Sequence, residues 1–226
     1  MPLIVLEGLD GAGKSTQIDL LEQMISGRGK RCRRIHFPRF DAPVYGPLIA
    51  RFLRGELGSI DSVDPYIVAL LFAGDRADIA VEFRQQLNDG EYLLVDRYVD
   101  SNVAYQCAKL SDPQSQTELK QWIYDLEYAH NRIPHPDVTL FLDVPFEFTL
   151  DSLAKNRSGH DREYLNGADD IHESSLELQR NVRNIYLSLA RTDSSIKVID
   201  CADTNGRMAT PNDIFNKIER AVSHLI

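Results

Sequence analysis

The sequence predicts an α/β fold, a five-stranded parallel sheet with helices on both faces. Three observations predict it. Short apolar runs alternate with amphipathic helical patterns along the whole chain. The first run, Leu3-Ile4-Val5-Leu6, is continuously apolar, as a strand covered on both faces requires. That run passes through a glycine-rich loop directly into a helical pattern. A chain of 226 residues with 43% apolar content can bury one large core. No internal repeat, low-complexity segment or Pro/Gly-rich linker divides it, so residues 1–226 are expected to form a single domain.

In chain order, the strand Leu3–Glu7 leads into a helix over Ser15–Ser26, whose apolar face is Ile18, Leu20, Leu21 and Ile25. A second strand, Arg33–Phe37, precedes a helix over Val44–Leu53. The next helix is expected over Pro65–Asn88: Asp64 can cap it, Pro65 suits its first position, and Asn88-Asp89-Gly90 ends it. Its first half, Ile67 to Ala73, is apolar all the way round. A surface helix needs one apolar stripe, so this helix is expected to be covered on two sides. The sheet would cover one side and a second subunit the other, giving a homodimer; a central helix of a monomer is the alternative. The strand Tyr92–Asp96 and helices Ser101–Ala108 and Gln116–His130 follow. Strand Thr139–Asp143, helices Phe146–Ala154 and Asp170–Arg191, strand Lys197–Cys201 and helix Asn212–Ser223 complete the chain. In such a sheet, ligand sites lie at the carboxyl ends of the strands.

The first loop carries the sharpest chemistry. Gly8-x-x-x-x-Gly13-Lys14-Ser15 fits the Walker A pattern, set between a buried strand and a helix N-terminus. Backbone N–H groups and the helix dipole there can bind phosphate without a side chain. The loop Gly8, Leu9, Asp10, Gly11, Ala12, Gly13, Lys14, Ser15 and Thr16 is therefore expected to cradle a nucleoside triphosphate. Lys14 would reach the β/γ-phosphates and the Ser15 hydroxyl would coordinate Mg²⁺.

Charge and composition narrow the partners. Lys plus Arg number 25 against 34 Asp plus Glu, a net −9, which disfavours a nucleic-acid backbone and favours a small-molecule substrate. Basic residues cluster only at Arg28–Arg34 and Lys155–Arg162. Apolar runs are too short to span a bilayer, and a strand at Leu3 leaves no room for a signal peptide, so a cytoplasmic, membrane-free protein is expected. The three cysteines lack CxxC pairing and the six histidines lack HxxxH or HExxH spacing, which predicts free thiols and no zinc.

Other residues are individually ambiguous. Asp96-Arg97-Tyr98 ends a strand where a Walker B carboxylate would hold the Mg²⁺ shell, with Arg97 placed to grip a phosphate. A structural ion pair would use the same residues. Phe37-Pro38-Arg39 brings a second guanidinium to that edge of the sheet. Phe72 and Arg76 share a helix face and suit a base that stacks and offers a carbonyl; a core Phe with a surface Arg reads the same way. Asn102 and Tyr105 form another polar pair, or a helix cap plus a packed aromatic.

Together, LEGLDGAGKST, HFPRF, LLFAGDRA, VDRYVDSNVAYQ and HPDVTLFLDVP match one family in order and spacing along nearly the whole chain. In these motifs the chain resembles thymidylate kinase. The resemblance implies a P-loop NTPase fold with a short lid, transfer of the ATP γ-phosphoryl to dTMP, and homodimerisation. It further implies Asp10 near the acceptor's 3′-hydroxyl and phosphate, with Arg39 and Arg97 on the dTMP phosphate. Phe72 would stack on thymine, Arg76 would reach O4, and Asn102 the base's polar edge. Tyr105 would lie against the ribose, with Ser101 in the same wall. Where some members carry an arginine after the P-loop aspartate, this chain has Gly11. The polar, basic segment at about 155–165 is then the expected lid, with Arg157 and Arg162 meeting the transferring phosphoryl, Lys155 helping, and Asp161 and Glu163 as possible partners of metal or acceptor. A deoxynucleoside kinase and a GTPase-like switch are the rival readings. The first would leave Arg39 and Arg97 without a phosphate, and the second lacks an NKxD guanine signature.

Overall fold

The computed structural model describes residues 1–154, 164–165, 170–172 and 175–226. Five strands form one sheet in the order β2-β3-β1-β4-β5. They are β1 (Leu3–Gly8), β2 (Cys32–His36), β3 (Tyr92–Asp96), β4 (Val138–Asp143) and β5 (Ile196–Asp200), and each pairing is parallel. β1 is central, and all six of its residues are buried, the apolar run Leu3–Leu6 together with Glu7 and Gly8.

Helices cover both faces. On one side α1 (Lys14–Gly27) and α9 (Pro211–Val222) bury Ile18, Leu21, Ile25, Ile214 and Ile218 against Ile4, Leu6 and Leu94. On the other, α5 (Val99–Cys107), α6 (Pro113–Tyr124) and α8 (Leu176–Thr192) pack with Leu3, Val5, Val95 and Phe141. Alternate residues of β1 thus serve opposite cores, the consequence of the strand's two-residue period. A smaller cluster joins α2 (Tyr45–Leu53) to α3 (Pro65–Asp78) through Ile49, Phe52, Leu53 and Val68. Gly74 lets the two helices meet: a Cβ there would stand 2.2 Å from the Tyr45 ring. The helix α7 (Phe146–Ala154) follows β4. Among the described residues no helix is long and apolar enough to cross a membrane.

Three expected helices are corrected. The Pro65–Asn88 helix is two, α3 and α4 (Ala80–Asn88), separated at Ile79, whose N–H closes α3 on the Arg76 carbonyl. The break turns Ala80 and Phe83 into the core, where Phe83 lies 6.0 Å from both Phe37 and Tyr98. The Gln116–His130 helix changes pitch after Tyr124, and Asp125–His130 form a π-helical turn. The Asp170–Arg191 helix begins only at Leu176, where the Ser175 hydroxyl accepts the Leu178 N–H at 3.2 Å and caps it.

Candidate active site

The strand-to-helix loop folds as its glycines demand. Gly11 and Gly13 take φ of 77° and 82°, a region that a side chain would strain. Gly13 is the N-cap of α1, so the first-turn N–H groups that follow it have no helical carbonyl to bind. Lys14 opens the helix, and its Nζ donates to the Gly8 and Leu9 carbonyls at 3.3 and 3.2 Å. Burial, then the nearby Arg97, lowers its pKa. Ser15 and Thr16 are exposed on the same turn.

A cavity of about 720 Å³ opens from this loop. At one end its lining includes Gly13, Lys14, Ser15 and Asp96; at the other, Phe72, Arg76, Asn102 and Tyr105. Asp10, Arg97 and Ser101 line the space between.

Asp96 ends β3 with one carboxylate oxygen 3.2 Å from His36 Nδ1 and the other buried without a hydrogen-bond partner. Burial opposes its ionisation, but Lys14, His36 and Arg97 outweigh it and hold the pKa at about 2. An orphaned, ionised oxygen beside a phosphate loop and an exposed serine is a donor set that fits Mg²⁺, a cation usually held by one or two carboxylates plus substrate phosphates. Among the described residues no group of three or more His, Cys, Asp or Glu could hold a metal by itself.

Arg97 adopts φ 64°, strained for a residue with a side chain, while its N–H donates to the Leu6 carbonyl at 2.9 Å. Its guanidinium donates to Asp10 Oδ1 at 2.7 Å, to the Ser101 hydroxyl at 3.2 Å and to the Tyr105 hydroxyl at 3.3 Å. Tyr105 in turn donates to Asp10 Oδ2 at 2.8 Å. Burial raises the Tyr105 pKa well above its ordinary value, so the phenol keeps the proton it donates. Asp10, Arg97, Ser101 and Tyr105 are thus one network, although up to 95 residues separate them.

Arg76 is 2% exposed and donates Nε to both carboxylate oxygens of Glu127, at 2.9 and 3.1 Å, and Nη2 to Oε1 of the same residue. It is a buried arginine, contrary to the surface alternative. Asn102 and Tyr105 lie inside α5, so neither caps it.

Among the described residues, Gly8 and Leu9 do not line the cavity, Leu9 being packed in the core, and neither does Arg39. Its Nε donates to Asp75 Oδ1 at 2.9 Å and its Nη2 to Asp78 at 2.7 Å, and it lines a neighbouring groove with Arg33 and Asp41. The two acids on the last turn of α3 draw it sideways. Lys155, Arg157, Asp161, Arg162 and Glu163 lie outside the described residues. Of the expected lid, Tyr164 stacks on Phe40 at 3.8 Å and donates to Asp170 at 2.6 Å.

Four residues escaped the sequence reading. Glu7, wholly buried, accepts the Tyr98 and Ser101 N–H groups at 2.8 and 3.1 Å, capping α5, and the Ser101 and Tyr186 hydroxyls at 2.5 and 2.7 Å. Glu127 pairs with Arg76. Gln179 donates to Asp10 at 3.3 Å and to the His172 carbonyl at 2.9 Å, while the His172 ring lines the cavity and stacks on Tyr105 at 4.9 Å. The signal for the first two was present. Glu7 interrupts an apolar strand, and Glu127 continues the buried i, i+4 row of Leu119 and Ile123.

The sequence profile of the thymidylate kinase family matches residues 6–208. A thymidylate kinase of Mycobacterium tuberculosis is 36% identical over 190 residues, 83% of this chain and 85% of that one. A probable thymidylate kinase of Thermococcus kodakarensis is 36% identical over 206 residues, covering 88% and 89%. The solved structure of a thymidylate kinase from Candida albicans superposes with a TM-score of 0.71 over 99% of this chain and 91% of that one; at 24% identity the likeness speaks for the fold. On the profile match and these identities, the chain belongs to the thymidylate kinase family.

Proposed function

We propose that this protein transfers the γ-phosphoryl of ATP to dTMP, giving dTDP and ADP, within a single domain of residues 1–226. The observation that carries the reading is one cavity with a phosphate loop at one end and a ring-and-amide wall at the other. A donor nucleotide and an acceptor base fit such a cavity together.

The loop from Gly8 to Thr16 cradles the ATP phosphates. Lys14 exchanges two backbone carbonyls for phosphate oxygens when it engages them. Ser15 and Asp96 would hold Mg²⁺, which would supply positive charge beside the phosphates. Arg97 grips the acceptor phosphate; Arg39 reaches it only by leaving Asp75 and Asp78, so Arg97 carries this role. Asp10 and Tyr105 orient the deoxyribose, with Ser101 behind them, and Phe72 stacks on the base that Arg76 and Asn102 read.

The protein's task is positioning and charge stabilisation, because phosphoryl transfer needs little covalent chemistry from it. The acceptor phosphate is already largely ionised near neutral pH and needs no general base. Arg157 and Arg162, with Lys155, supply positive charge to the transferring group from a lid that also excludes water. We assign the enzyme to the cytoplasm, acting as a homodimer through residues 65–88.

Incubation with ATP, Mg²⁺ and a panel of nucleosides and monophosphates tests this. Formation of dTDP from dTMP, with nucleosides untouched, is expected. Phosphorylation of a nucleoside hydroxyl in its place, or ATP binding without transfer to any acceptor, would sink the reading.

A further inference from the structure

We propose that Glu127, buried on the π-helical turn, is the positioning residue that fixes which base edge the site accepts. The inference rests on the monophosphate-kinase reading for the kind of ligand, and otherwise on the hydrogen bonds of three buried side chains.

Glu127 is wholly buried, and its carboxylate has two clients. Arg76 presents its Nε and Nη2 edge, which leaves Nη1 with no hydrogen bond to any described residue. The guanidinium is further held over the Phe37 ring at 5.8 Å, so it cannot pivot freely. Asn102 is the second client. Its Nδ2 donates to Glu127 Oε1 at 3.3 Å and to the Ala69 carbonyl at 3.0 Å.

The amide nitrogen serves both acceptors, so the amide is oriented with Nδ2 toward them and Oδ1 left to other partners. That oxygen is buried and has no partner. Arg76 and Asn102 both line the cavity. The wall therefore offers a fixed donor, Arg76 Nη1, beside a fixed acceptor, Asn102 Oδ1.

A ring carbonyl next to a ring N–H, as in thymine or uracil, satisfies this pair. Cytosine and adenine present the reverse order, an amino group next to a bare ring nitrogen, and would set donor against donor and acceptor against acceptor. Glu127 touches no substrate; it acts by removing the alternative orientation of the amide and the alternative reach of the guanidinium. Glu127 sits on the π turn that continues α6, one i, i+4 step beyond the buried Ile123, and is itself buried.

The substitution Glu127→Gln separates this role from a structural ion pair. A glutamine amide can donate to Asn102 Oδ1, which favours the flipped amide and a cavity-facing NH₂ group. With ATP and Mg²⁺, the ratio of kcat/KM for dTMP over dCMP is expected to fall at least about tenfold, chiefly through a higher KM for dTMP. Equal losses for the two substrates, leaving the ratio within about twofold of wild type, would overturn the proposal. Should Glu127→Gln fail to fold, Glu127→Asp keeps the charge for Arg76 but draws the carboxylate away from Asn102, and the same ratio decides. Wild-type turnover of dTMP is measured first. Its absence would strike the kinase reading, whereas normal wild-type turnover with an unchanged ratio in the variant strikes only Glu127.

Discussion

Lys14 stands at the first position of α1 with its ammonium already turned along the phosphate loop and satisfied by two backbone carbonyls. Because those partners are local, losing the side chain should not unsettle the core. Lys14→Ala is expected to keep the wild-type circular dichroism and melting profile while kcat falls at least about a hundredfold, in line with removal of a charge-stabilising donor. Activity within a few-fold of wild type would refute the phosphate role. For Arg76 the wild-type expectation is at least about ten- to a hundredfold higher kcat/KM for dTMP than for dCMP, since a buried donor left unpaired costs about 1–3 kcal/mol. Comparable values for the two would refute it. Residues such as Lys14 and Ser15 are legible in sequence because a backbone phosphate site needs glycines, a lysine and a hydroxyl at fixed local spacing. Glu7 and Glu127 are not, because their partners arrive from up to 179 residues away. A lone acid in an apolar run signals a buried carboxylate without saying what it holds.

At the scale of elements, α3 shows how far periodicity reaches. Its apolar first half is visible in the sequence, and so is its cap: Asp64 accepts the Tyr66 N–H at 2.8 Å with Pro65 at the first position. The break at Ile79 was not legible, since neither Gly nor Pro marks it; what selects it is the tertiary demand of Phe83 for the Phe37–Tyr98 cluster. One face of α3 buries Val68, Ala69 and Ala73 within the chain, while Ile67 and Leu70 stay 61% and 48% exposed. Val81 on α4 is 71% exposed as well. Covering such residues recovers about 25 cal/mol per Å² of apolar surface, which motivates the dimer. Sedimentation at micromolar concentration is expected to give twice the chain mass, and Leu70→Glu to give the monomer, because the charge would have to be buried unpaired. A monomer mass for the wild type would count against this surface.

At the scale of the whole molecule, parallel alternation of strands was legible but the order β2-β3-β1-β4-β5 was not, because local pattern carries no record of which strand lies beside which. That order sets Glu7 of β1 near the start of α5, and with it a pH dependence of the global fold. Asp100 on α5 is buried, accepts a hydrogen bond from the Tyr124 hydroxyl at 3.0 Å, and titrates at about 7, chiefly through burial and then through the charge of Glu7. Its ordinary value is 3.8. Between those two values the folded chain holds a proton that the unfolded chain has released, so this group lowers stability progressively as pH rises from about 4 to 7. Asp96 acts in the opposite sense: its pKa is depressed to about 2, so the stability it gives is present above about 4 and is lost as pH falls toward 2. Above pH 5 the Asp96 contribution is constant, which isolates Asp100. Asp100→Asn keeps an acceptor for Tyr124 and removes the titration, so its stability relative to wild type should improve from pH 5 to pH 8 by about 2 kcal/mol. In a chain of this size that is a relative gain of roughly 5 °C in melting temperature. Melting curves of both proteins at pH 5, 6, 7 and 8 would show it as diverging lines. Parallel lines across that range would mean that Asp100 is already ionised at pH 5 in the folded protein, and that Tyr124 and its other neighbours compensate its burial in full.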